Sequence, residues 1–292
     1  MKPIRIVKIL TLSALTLASA GCVVSETRPV EYTPAERAQT EVADSHRLNI
    51  GVSVLDPGIP EEGSRAAKNA TISPQVREAE ARYIAFHLKD TLERTSHWGA
   101  VRVVPGDRTG TELMVKGTIL ESDGLGLELD VVAVDATGRE WLDKKYRGRA
   151  DSGTYSDGEI MGRDPFQNVY NDIANDLLAA RARLEAKDLV EVRRVAELRF
   201  ANSLAPTVFD GHLNEQRGRY SVVRLPADND PMVERRRSVR DRDLLFVDTL
   251  NEHYAGFDRQ MDGPYDDWRK YSYDEEIALK ELQAAARWRK LV

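Results

Sequence analysis

The sequence predicts an α+β fold: a small mixed or antiparallel sheet packed by two helices, followed by a mainly helical carboxy-terminal region. Three observations predict it. Several short runs alternate apolar and polar residues, the period of a half-buried strand. Two longer segments carry apolar stripes at spacings of three and four, the period of a helix lying on a sheet, and past residue 186 helical patterns replace the strand-like ones. The chain divides into a signal segment over 1–21, a flexible tether over 22–46, an α/β sandwich domain over 47–185 and a helical region over 186–292.

The opening "MKPIRIVKIL" sets Lys2, Arg5 and Lys8 before an apolar run too short to span a bilayer, which is the pattern of an export signal. That run ends at "LASAGC", and Cys22 is the only cysteine in the chain. This junction resembles the lipobox of bacterial lipoproteins, although Ser19 stands where the family usually has leucine. The resemblance implies that the Cys22 thiol carries diacylglycerol and that its freed amine is acylated. Each buried methylene would add about 0.8 kcal/mol of membrane affinity. With the thiol consumed, no disulfide forms within the chain. In the lipoproteins this junction resembles, an aspartate after the cysteine signals inner-membrane retention; Val23 stands there instead, which implies the outer membrane, and the periplasmic face is the expected location. The following "VVSETRPVEYTPAERAQTEVADS" is polar, contains Pro29 and Pro34, lacks apolar periodicity and reads as the tether.

In "RLNIGVSVLDP", Leu48, Ile50, Val52 and Val54 alternate as a half-buried strand that Pro57, Gly58 and Pro60 end. Ser73-Pro74 supplies an N-cap and a first-turn proline for a helix reaching about Ser96, with Ala81, Ile84, Ala85, Leu88 and Leu92 on one stripe. "WGAVRVVPGD" and "TELMVKGTILES" are two further strands. "LGLELDVVAVDATGREWLDKKYRG" is a hairpin with Leu125, Leu127, Leu129 and Val131 on one face and "DATG" as its turn. Gly124 and Gly126 are hairpin or bulge positions. Asp164-Pro165 caps a second helix, striped by Phe166, Val169, Tyr170, Ile173, Leu177, Ala180 and Leu184.

The phrases "LERTSHWGAVRVVP" (92–105), "ELMVKGTILES" (112–122) and "VVAVDATGREW" (131–141) resemble the α/β domain shared by the curli secretion channel family and the amino-terminal domain of the Tol translocation protein. The resemblance covers residues 47–185 and implies a periplasmic assembly or docking domain. The long alternating segments that would build a barrel wall are missing.

Beyond residue 186, "AKDLVEVRRVAELRFANSL" continues the preceding helix or forms another. "APTVFDGHLNEQRGRYSVVRLPADNDP" is irregular, with a short strand at "RYSVVRL". Asp230-Pro231 opens a long helix with Val239, Leu244 or Leu245, Val247, Leu250, Tyr254 and Phe257 inward. Gly263-Pro264 breaks it, and a last helix runs from Asp274 to the terminus. "ERRRSVRDR" holds Arg235, Arg236, Arg237, Arg240 and Arg242, either as an anion- or partner-binding patch or as a solvated helix face balanced by Glu234, Asp241 and Asp243. Tyr265, Trp268, Tyr271 and Tyr273 either line a sugar- or partner-binding groove or form a helix-packing core.

Formal net charge is −6, and removing Lys2, Arg5 and Lys8 leaves −9, which disfavours nucleic acid as a partner. His46, His87, His97, His212 and His253 have no ligand spacing, and no second cysteine is present, so the sequence calls for no metal and no cofactor. Neither G-x-S-x-G nor S-x-x-K occurs. These readings combine into an outer-membrane-anchored periplasmic lipoprotein, a non-enzymatic assembly, scaffolding or docking component of a cell-envelope complex. It is expected to work with an envelope protein or glycan, and homo-oligomerisation is open to it. The alternative is a cell-wall or glycan-processing enzyme, for which Asp123, Glu128 and Asp130 are the nearest carboxylates.

Overall fold

The computed structural model describes residues 32–61, 63–64, 73–106, 108–150, 155, 164–227 and 231–291. Cys22 and the signal segment lie outside them. Among the described residues, no helix is long and apolar enough to cross a membrane.

The fold is α+β. Strands β1 (Ile50–Ser53), β2 (Val101–Val104), β3 (Leu113–Ser122), β4 (Gly126–Asp135) and β5 (Glu140–Arg149) form one sheet in the order β2-β1-β3-β4-β5. The sheet is mixed: β1 runs parallel to β2 and β3, and β3, β4 and β5 are antiparallel neighbours. All four residues of β1 are buried, where alternation had predicted a half-buried strand. Its polar-face positions are small, and the Thr111 and Met114 side chains lie against Gly51. A central parallel strand is covered on both faces, and β1 obeys that rule.

Helix α1 (Pro74–Thr95) starts at Ser73, whose hydroxyl accepts from the Val76 N–H at 3.3 Å, and ends at Ser96 with φ 60°. Ala81, Ile84, Ala85, Leu88 and Leu92 are buried as the stripe predicts. Helix α2 (Gln167–Arg181) buries Val169, Tyr170, Ile173 and Leu177 in the same core. Helix α3 (Ala186–Leu204) is separate from α2, opened by a reciprocal capping box between Glu185 and Asp188. Its Leu189, Val192, Val195 and Ala196 join the main core, so the buried interior continues past residue 185.

The segment expected to be irregular apart from a short strand at "RYSVVRL" contains a short helix α4 (Pro206–Phe209) and a hairpin in which β6 (Leu213–Gln216) pairs with that strand, present as β7 (Arg219–Val222). The hairpin turn places Arg217 at φ 53° and Gly218 at φ 75°, the two positive values a tight primed turn requires. Arginine is an unusual occupant of the first position, which concealed the turn.

The largest departure is helix α5 (Pro231–Leu291), a single helix of 61 residues and about 90 Å. Gly263-Pro264 does not break it. Proline removes one N–H and crowds the carbonyl four residues back, at a cost of about 3 kcal/mol. Contacts on both sides of Pro264 offset that cost: His87 against Asp258 before it, and Tyr265 and Arg269 in the protein interior after it. Of the inward positions expected on this helix, Val247 is buried, whereas Val239 and Leu245 are exposed.

The tether expected through residue 46 also ends earlier. Asn168, Asn171 and Asn175 on α2 grip an extended strap. The Thr33 and Glu36 N–H groups donate to Asn168 Oδ1 and Asn175 Oδ1, and the carbonyls of Thr33 and Pro34 accept from Asn171 Nδ2 and Asn175 Nδ2. The Ala38 N–H donates to the Thr95 carbonyl.

Candidate functional site

Helix α5 lies along the edge of the sheet and over α1, and its inward line is polar where an ordinary docking helix is apolar. β2 is an edge strand with unpaired backbone groups. Asn251 pairs with them: its Oδ1 accepts the Val103 N–H at 2.8 Å, and its Nδ2 donates to the Val103 carbonyl at 3.0 Å. One turn away, Asp248 takes Arg102 through two contacts of 2.6 and 3.2 Å, and Asp243 takes Arg108. Val247 packs between these on Val104 and Met114.

Further along α5 the polar groups are buried. Arg269 is 0% exposed, and its Nη1 donates to Asp164 Oδ2 at 2.7 Å. The guanidinium lies over the rings of Tyr265, Phe166 and Tyr83, at 4.1, 5.2 and 5.3 Å from their centroids. Burial alone would raise the Asp164 pKa. Arg269, then His87, and the Phe166 N–H outweigh it and hold the carboxyl below its usual range. Tyr265 donates its hydroxyl to Glu80 Oε1 at 2.6 Å, and Ser122 donates to the same oxygen at 2.6 Å. Burial still pushes the Glu80 carboxyl up against those donors and Arg77. His87 Nε2 lies 3.0 Å from Asp258 Oδ1. Burial disfavours the imidazolium, but Asp258 and Asp164 outweigh it and raise its pKa.

A backbone contact closes the cluster. The turn between β3 and β4 meets α5 at Gly124, where a Cβ would stand 2.1 Å from the Arg269 carbonyl oxygen and 2.2 Å from the Tyr273 nitrogen. The residue is therefore glycine because two backbones touch there. This cluster can clamp a helix away from water, although Arg269 Nε and Nη2 are buried there without hydrogen-bond partners. Among the described residues, no group of histidines, cysteines and carboxylates has the arrangement of a metal site.

The residues singled out in the sequence divide between the two sides of α5. Arg236 is 8% exposed and is tied to Glu197 through its carbonyl and its carboxylate. Arg240 donates to the Gly110 carbonyl at 3.3 Å. Both serve the packing of α5 on α3 and the β2–β3 loop, which removes Arg236 from any partner-binding patch. Arg235 and Arg237 face outward, Arg237 beside Glu234. Tyr265 is buried, Trp268 stacks on it with centroids 5.5 Å apart, and Tyr271 is 74% exposed. With Tyr265 3% and Tyr271 74% exposed, these three do not line one open groove. Tyr265 belongs to the interior and Tyr271 to the surface.

Surface clefts also occur among the described residues. One of about 590 Å³ lies between the strap and helices α1 and α2, lined by Tyr32, Arg37, Arg94, Gln167 and Asn171. Another, about 460 Å³, lies near Arg47, Trp98, Glu112 and Arg193. Sequence reasoning missed Arg269, Glu80, Asn251 and Asp258 as positioned groups. The available signal was spacing: 247, 251, 254, 258, 265, 269 and 273 recur by threes, fours and one seven, so Asn251, Asp258 and Arg269 fall on the inward line.

No protein-family model matches this chain, and no curated protein or solved structure matches it.

Proposed function

We propose that the protein is a periplasmic lipoprotein held to the outer membrane through Cys22 and that it acts by contact, as an assembly or docking component of a cell-envelope complex. The observation that carries the docking reading is the construction of α5. Its first two thirds are fixed to the body by polar pairs, part-buried along β2 and buried around Arg269, and from Ala278 to Arg289 every residue is exposed, including Leu279, Leu282 and Trp288 at 43, 67 and 64%. A helix anchored this firmly is a rigid arm, and exposed apolar residues at its end suit a protein partner. Arg235, Arg237 and Arg242 on its outer side suit an acidic one. The lipobox-like junction and the resemblance of residues 47–185 to envelope docking domains support the same reading.

The test has two arms. Cells fed labelled palmitate should label the wild type and not Cys22→Ser, and only the wild type should fractionate with outer membrane. Photo-cross-linkers placed at Arg237 and Tyr271 in growing cells should capture a discrete envelope component. Unlabelled, freely soluble wild type would sink the anchor. Turnover of peptidoglycan by the purified protein would replace the docking role with an enzymatic one.

A further inference from the structure

Residues 275–289 of α5 carry a face that is complementary to itself. At 100° per residue, Glu275, Ala278, Leu279, Leu282, Ala285, Ala286 and Arg289 fall within an arc of about 120°, and all seven are exposed. Leu282 is central. Leu279 is three residues before it and Ala285 three after; Ala278 and Ala286 are each four away; Glu275 and Arg289 are each seven away. Ile277 leans on the main core, and Trp288 stands about 120° around the helix from Leu282, outside this face.

We propose that this face pairs antiparallel with the same face of a second copy of the chain, about a two-fold axis passing through Leu282. The two Leu282 side chains then meet at the centre. Each Leu279 packs near the partner's Ala285, a large residue against a small one, and the alanines let the helices approach closely. At both ends Glu275 of one copy meets Arg289 of the other. A parallel pairing would set Glu275 on Glu275 and Arg289 on Arg289, so charge selects the antiparallel form. A two-fold operator requires this kind of self-matching patch. The body already fixes the helix, so pairing does not bear the cost of helix nucleation. The contact is smaller than a standard interface, and a dissociation constant of about 10–100 μM is expected. None of this depends on the lipid anchor.

Sedimentation equilibrium of the purified full chain in mild detergent, over about 5 μM to 1 mM, provides the test. The wild type should dimerise. Leu282→Lys, which puts two ammonium groups at the axis, should weaken the dimer by on the order of a hundredfold. Glu275→Arg and Arg289→Glu should each weaken it by about tenfold, and the double variant, with the charges exchanged, should recover most of the loss. These positions are exposed, so an unchanged thermal midpoint verifies the fold. A monomer throughout the range overturns the proposal. So does a dimer indifferent to Leu282→Lys, and so do charge variants whose effects simply add, which would mean pairing in another orientation or elsewhere.

Discussion

Arg269 and Asp164, 105 positions apart in sequence, form an ion pair whose two side chains are each 1% exposed. Removing one member of such a pair leaves a buried uncompensated charge, which costs about 3–5 kcal/mol. Arg269→Met should therefore lower the unfolding free energy by that amount in urea titrations. Asp164→Asn with Arg269→Met should recover part of the loss. Strict additivity of the single effects would mean that the two residues do not act as a unit.

Asn251 closes the β2 edge, and Asn251→Leu keeps the branched shape while abandoning both groups of Val103. Two part-buried hydrogen bonds lost in this way cost about 1–3 kcal/mol together. Amide exchange supplies the specific readout. The Val103 amide should exchange faster, while β4 amides such as Leu129 keep their protection.

Gly124 and Gly126 lie two residues apart in the same turn and should respond differently to alanine. Gly124→Ala drives a Cβ into the backbone of α5 and should cost about 3 kcal/mol. At Gly126 the nearest atom is 3.7 Å away, so Gly126→Ala should be close to neutral. Thermal melts of the two variants decide the point. Equal effects would remove the close approach as the cause.

The His87–Asp258 contact gives a pH dependence of defined sign. The His87 pKa is raised in the folded chain, so its stabilisation is complete below the ordinary value of 6.5 and fades as pH rises through the higher folded value. Burial, and then Arg181, lower the His97 pKa, which acts in the opposite sense, so the comparison belongs in a His97→Gln background. There, His87→Gln should lower Tm by about 2–4 °C at pH 5.5, as expected for a pair contributing about 1 kcal/mol at this size. The difference should shrink by pH 9. A difference that grows with pH would contradict the assignment.

The sheet and its two covering helices were legible because local signals and tertiary demand agree there. Ser73-Pro74 caps where a cap is needed, the α1 stripe buries as written, and the α2 stripe does so through Ala180, with Leu184 beyond the helix end and only partly buried. Legibility failed where long-range contacts override local preference. Gly263-Pro264 is a stop signal by any local rule, yet His87, Glu80 and Asp164, contributed by distant segments, hold the helix through it. The strap at 33–38 has no apolar period because asparagine amides bind its backbone, which leaves no pattern in the side chains. The arginine run illustrates the same limit: neighbours in sequence point to opposite sides of a helix, so Arg236 packs inward while Arg235 and Arg237 meet water. The lipobox-like junction lies outside the described residues, and the reading of Cys22 rests on the sequence.

The Asn251–Val103 clasp joins segments 148 residues apart, which places it late in the order of chain assembly. Contacts of such separation form after local ones, because the closing loop is long. Helix α5 is also synthesised after every strand of the sheet. Until it arrives, β2 has an open edge next to a nearly complete sheet, a template on which a strand from another chain can add. The clasp therefore determines when the protein becomes safe from misassembly, and variants that slow α5 docking should aggregate during refolding even where the finished fold keeps most of its stability.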